Sequence, residues 1–255
     1  MPFSKVRSEK LALAVVRQIE ALILQGLLRP GERLPSEREL SERMGVSRPS
    51  LREGVAELHE RGLLESRPGA GMFVSKNLAA EFPPALTRLF ATHDEGTRDY
   101  IAFRRDMEGL AVARAAESGT ETDLKVVDRV FREMEEAHAE EDTAREAALD
   151  ADFHMAIVEA CHNAVMLHVM RALYDLLQEG VLYNRRIMFQ QRTTRETLLD
   201  QHRAINAALQ SRDAEAARAA VGAHLDYVQA ALDAQRRDDR AEAVARQRLA
   251  RRSGA

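Results

Sequence analysis

A chain of 255 residues with 45% hydrophobic content is long enough to bury one large core or two smaller ones, which excludes disorder throughout. Its single cysteine, Cys161, excludes an internal disulfide, and it shows neither a run of about 18 apolar residues nor a charged-then-apolar leader, so a soluble cytoplasmic protein without a membrane partner is expected. The net charge of −4 excludes a bulk polycation, but residues 1–77 hold 13 Lys+Arg against 10 Asp+Glu and the remainder carries −7, so the N-terminal end is the one suited to phosphate.

Low aromatic content, no tryptophan and abundant Ala, Leu, Glu and Arg favour helices almost throughout. The first is expected over about Leu11 to Gln25, where Leu13, Val16, Ile19, Ile23 and Leu24 recur at helical spacing before Gly26. A second starts at Ser36, with Glu39 three residues on completing a capping-box pattern, and ends by Gly45. Ser47 caps a third, with Pro49 in its first turn, and Gly62 stops it. Two short apolar runs, Leu63–Leu64 and Met72–Val74, then flank Pro68, Gly69 and Gly71 and predict a β-hairpin. Helix, helix, short turn, helix, hairpin is the order of a winged helix-turn-helix, assigned to residues 1–76.

The Pro83–Pro84 pair marks a linker over 77–85. From 86 to 234 six or seven helices are expected, interrupted near Ser118 to Thr122, Gly180, Thr193 to Thr194 and Ser211 to Asp213. The fold class is therefore mainly α, a winged helix-turn-helix followed by an all-helical domain. Residues 235–255 carry seven Arg against three acids and read as a fraying helix or a disordered end, a solvated charge run being favoured over an arm that touches DNA.

A recognition helix carries long cations on its first turns, where they reach guanine edges or phosphates in the major groove. Arg48 and Arg52, four apart, share that face of the third helix, while Leu51, Val55 and Leu58 fall on the opposite side. Arg38 is placed to reach a flanking phosphate, and Arg67 with the open backbone at Gly69 and Gly71 suits a wing tip in the minor groove. Each arginine alone reads equally as a solvated surface charge; the set, on this element order, does not.

The runs Leu34-Pro-Ser-Glu-Arg-Glu-Leu40 and Gly45-Val-Ser-Arg-Pro-Ser-Leu-Arg-Glu53, followed by Gly62 and Leu63, closely resemble the DNA-binding signature of the GntR family of bacterial regulators over about residues 10–75. The C-terminal part is similar to the helical effector domain of the FadR-type (FCD) branch. The likeness is strongest to regulators of the pyruvate dehydrogenase complex and nearly as strong, in the C-terminal half, to those of glycolate and lactate use. It implies operator contacts by Arg38, Arg48, Arg52 and, less directly, Arg67 and Gly69, a homodimer on double-stranded operator DNA, and no enzymatic activity.

Asp150 and His154, four apart on a strongly helical segment, put a carboxylate and an imidazole on one face, a chelating pair. His202 and His224 lean toward apolar faces of two later helices. Spacing does not bring the four together, and a buried neutral imidazole hydrogen-bonded inside the bundle is the ordinary reading of each. One Asp and three His would suit zinc, nickel or another divalent transition ion. The resemblance implies the shared site, because metal-binding members of the branch use an Asp, a His four residues later and two further histidines on later helices. His59, His93, His138 and His168 read as surface or satisfied positions.

Four protein ligands leave positions on the ion for a small carboxylate, and a guanidinium is the natural second clamp. The resemblance implies Arg104, four residues before Glu108, with Arg105, Asn163 and Arg185 as further candidates; an ordinary ion pair is the other reading of Arg104 and Glu108. The acid expected is pyruvate, with lactate or glycolate as the alternative, and repression relieved by the acid. An enzyme with a hydrolytic metal site would need a general-base motif that is not found. The aminotransferase-like branch would need a Schiff-base lysine and a longer chain, and Lys125 is the only lysine after residue 77. A purely architectural DNA binder would hold no metal and respond to no acid.

Overall fold

A computed structural model describes residues 9–78, 89–90, 93–180 and 192–253, and the chain divides into two compact units, 1–81 and 82–255. In the first unit α1 (Glu9–Leu24), α2 (Glu37–Met44) and α3 (Arg48–Glu60) precede a hairpin of β1 (Leu64–Arg67) and β2 (Gly71–Val74). The strands pair antiparallel from Leu64 opposite Val74 to Arg67 opposite Gly71, and an added bridge joins Arg33 to Phe73. Val16, Ile19, Leu51, Leu58, Leu64 and Val74 form its core, all almost fully buried.

Local chemistry sets the helix ends as expected, with one difference. The Ser36 hydroxyl accepts from the Glu39 amide at 3.3 Å and Gly45, at φ 64°, closes α2. The reciprocal half of the capping box gives way to an ion pair, since the Glu39 carboxylate takes Arg43 at 2.6 Å. Ser47 caps α3 through the Ser50 amide, with Pro49 in the first turn. α1 and α3 cross at Gly54, where an added Cβ would lie 2.8 Å from the Ala12 carbonyl oxygen.

The second unit is a bundle of α4 (Asp94–Ser118), α5 (Glu121–Ala139), α6 (Thr143–Ala160), α7 (Ala164–Gly180), α8 (Arg192–Gln210) and α9 (Ala214–Ser253). α4 packs along α9 and against α6, α5 lies against α6 and α8, and α8 against α9. Phe153, Met170, Ile205, Leu209 and Leu225 fill the centre. Thr120 and Asp123 form a reciprocal capping box at the start of α5.

Several expected breaks moved. Thr193 and Thr194 lie inside the first turn of α8. Unforeseen turns at 140–142 and 161–163 separate α5, α6 and α7, and they bend through Glu141 (φ 57°) and His162 (φ 53°). These are left-handed positions that usually announce themselves as Gly or Asn. From residue 235 to Ser253 the chain is a continuous helix, the end of α9, rather than a frayed or irregular tail. The 77–85 linker falls largely outside the described residues, apart from a 3-10 turn at Lys76–Leu78.

Candidate DNA interface and metal centre

On the first unit, Arg38, Arg48 and Arg52 are exposed, and burial of Leu51, Val55 and Leu58 turns the opposite face of α3 into the core. Arg52 donates to Glu37 at 2.7 Å and Arg38 stands 3.7 Å from Glu42, ion pairs at least half exposed and open to exchange for phosphate. In the hairpin, Arg67 donates to Glu65 at 2.9 Å and lies 4.1 Å over the Phe73 ring. Gly69 at the tip has φ 72° and open space around it. The five predicted DNA residues thus sit on one small unit, four of them exposed and Arg67 half-buried.

In the bundle, α6 supplies Asp150 and His154, α8 supplies His202 and α9 supplies His224. All four are buried, and one ligand atom from each lies within 4.8 Å of the others. His202 Nε2 is 3.3 Å from His154 Nε2 and 3.1 Å from Asp150 Oδ1, and His154 Nε2 is 3.9 Å from that oxygen. Metal bonds of about 2.0–2.2 Å place neighbouring donors roughly 3.0–3.5 Å apart, a spacing that His202 already has to both His154 and Asp150.

The partners of the outer ring nitrogens orient the rings. His202 Nδ1 is 2.7 Å from the Leu198 carbonyl oxygen, which can only accept, so Nδ1 carries a proton and Nε2 is the nitrogen turned to the cluster. His154 Nδ1 lies 2.8 Å from Glu108 Oε2, close although off the ideal hydrogen-bond line, and His224 Nδ1 is 3.0 Å from Gln201 Oε1. Glu108 Oε1 accepts from Arg104 Nε at 2.5 Å and from the Tyr174 hydroxyl at 3.0 Å. Burial alone would raise the Glu108 pKa, but Arg104 and His154 outweigh it and hold the carboxyl well below its usual range. Burial pushes the His154 pKa down despite Glu108, and burial followed by the neighbouring His202 and His154 pushes His224 well down. Three imidazoles converging beside a carboxylate form a buried nest of donor groups that suits a divalent transition ion.

The sequence comparisons coincide with this division. Residues 11–74 match the bacterial regulatory proteins of the gntR family and residues 99–227, half of the chain, match the FCD domain. The chain belongs to the GntR family. It is a DNA-binding transcriptional regulator of the GntR type with an FCD domain, and its relatives are regulators rather than enzymes. A regulatory protein of Escherichia coli (strain K12) named for the L-lactate dehydrogenase operon is 34% identical over 88% of this chain and 86% of its own length. The Glc operon transcriptional activator of the same strain is 34% identical over 81% and 83%, and LutR of Bacillus subtilis (strain 168) 29% over 83% and 96%. A solved Streptococcus agalactiae GntR shares the fold, with TM-score 0.53 and 23% identity over 86% of this chain and 99% of its own. No helix among the described residues is long and apolar enough to cross a membrane.

Within this GntR regulator the effector candidates separate. Arg104 is buried, not at the surface, and reaches the cluster through Glu108, its Nη2 donating to Tyr174 at 3.0 Å. Arg105 is instead a half-exposed partner of Asp226 at 3.2 Å, and Asn163 serves α7 by accepting the Met166 amide at 3.0 Å. Among the described residues neither is hydrogen-bonded or ion-paired to the cluster. Arg185 lies outside the described residues. Sequence reasoning missed Glu108 as the partner of His154, and also Leu198, Gln201 and Tyr174. Of these only Glu108 left a signal, its place one turn from Arg104. His202 also borders a cavity lined by Met134, His138, Glu146, Arg195 and Leu199, which with about 10 Å³ has room for one water.

Proposed function

We propose that this GntR regulator is a metal-dependent sensor of a short 2-hydroxy or 2-oxo acid, acting as a homodimer on a two-fold operator. The observation that carries it is the converging Nε2 set of His154 and His202 with Asp150 and His224, each imidazole oriented by an acceptor on Nδ1. Zinc fits the donors best, with nickel second. The ion, when bound, supplies Lewis-acid positions for carboxylate and 2-oxygen of the acid; Arg104, buried between Glu108 and Tyr174, supplies the guanidinium. The relative named for the L-lactate dehydrogenase operon favours lactate first, with glycolate and pyruvate as the competing acids.

The helical unit pairs two chains and sets the spacing of two α3 helices against two half-sites, and the acid favours the arrangement that releases DNA. Arg48 and Arg52 read base edges, Arg38 positions α2 on a phosphate, and Arg67 with Gly69 enters the minor groove.

The test is operator affinity titrated against lactate, glycolate and pyruvate, before and after chelation. One acid is expected to weaken binding about 5- to 150-fold in metal-loaded protein and to do nothing after chelation. Unchanged affinity with all three acids overturns the proposal.

A further inference from the structure

Metal sensing leaves the end of α9 unused. The FCD match stops at residue 227, yet the helix continues to Ser253. The first part of this extension is anchored: Arg98 reaches Asp233 at 3.1 Å, Arg236 donates to the Thr97 hydroxyl at 2.7 Å, and Arg240 pairs with Asp94. Residue numbers rise along α9 as they fall along α4, so the helices are antiparallel and α9 passes the N-terminal end of α4. From Ala241 to Leu249 every residue is exposed. Residues 241–253 add about 20 Å of helix at 1.5 Å per residue.

The charge on this arm is ordered. Residues 243–253 hold four arginines and no acid. Arg246 pairs with Glu242 at 2.9 Å. Arg237, Arg248 and Arg251 are exposed, make no ion pair or hydrogen bond among the described residues, and at about 100° per residue fall within roughly 60° of one another. Cations near a helix C-terminus favour its dipole, but that effect fades beyond the last turn and does not account for Arg237 or for the shared face.

We propose that the Arg237–Arg248–Arg251 face of α9 is a second, sequence-independent DNA contact that lies along backbone phosphates flanking the operator. Guanidinium groups match phosphate geometry, and Val244 is the one apolar side chain on this face, too little for the core of a protein interface. The proposal rests on the reading of this chain as an operator-binding protein.

The experiment compares the full chain with its R237Q/R248Q/R251Q and R237K/R248K/R251K variants on an operator selected by the protein from random duplexes and on an unrelated duplex, over about 50–200 mM salt. Gln and Lys both favour helix, and circular dichroism checks that helicity is kept. Each lost phosphate contact flattens the slope of log affinity against log salt by about 0.9, so the Gln variant is expected to lose up to about 2.7 per bound chain. Both duplexes should weaken by the same factor, the Lys variant should regain the slope, and metal content should not change. A Gln variant with wild-type slope on both duplexes, or one that weakens on the operator alone, overturns the arm while leaving the DNA-binding reading intact. Wild-type protein that prefers no duplex would overturn that reading itself.

Discussion

Each imidazole of the cluster has its outer nitrogen committed before an ion arrives. The commitment to Leu198, Glu108 and Gln201 makes these three positions the sensitive ones after the ligands themselves. His202→Ala is expected to abolish stoichiometric metal binding, and Glu108→Gln to weaken it about 10- to 100-fold, read by competition with a chromogenic chelator. In the first unit, Arg48→Ala or Arg52→Ala should cost roughly 1–3 kcal/mol of operator affinity in gel-shift titrations, and wild-type affinity in both would contradict the assigned recognition helix. At this scale the four-residue step from Asp150 to His154 and the inward lean of His202 and His224 were legible in the sequence, whereas the convergence of the four was implied only by the family resemblance. The orienting groups were hidden, because Gln201 serves a histidine on another helix and the Leu198 carbonyl belongs to the backbone, and helical periodicity encodes neither.

Helix ends and crossings carry the geometry from residue to element. Gly54 lets α3 approach α1 closely enough that Gly54→Ala is expected to destabilise the first unit by about 1–3 kcal/mol, seen as lost hydrogen-exchange protection in α1 and α3. Thr120→Ala, which removes the cap of α5, should cost about 1 kcal/mol in denaturant melts of the helical unit. The winged-helix elements were legible almost residue by residue, because Ser36, Gly45, Ser47, Pro49 and Gly62 punctuate them with ordinary capping and turn chemistry. The bundle was legible as helices but not in its partition. Glu141 and His162 take left-handed turns without a glycine to mark them, and the arginines after residue 240, read as a loose end, continue a helix whose preceding turns are tied to α4.

For the whole molecule, a ligand moves an equilibrium only by its differential affinity for two states, so the ion without acid and the acid without ion should each leave operator binding nearly unchanged. Metal bound only by the folded chain adds stability by mass action, about 4 kcal/mol at a thousandfold excess over its dissociation constant, so chelation should lower the melting of the helical unit and leave that of the DNA-binding unit in place. The most direct test is X-ray absorption at the metal edge of the purified protein, with and without lactate. Three imidazole nitrogens and one carboxylate oxygen at about 2.0–2.2 Å, joined on addition of the acid by further oxygen neighbours, are predicted. A metal-free protein after zinc loading, or a shell that lactate leaves unaltered while operator binding changes, would contradict the account.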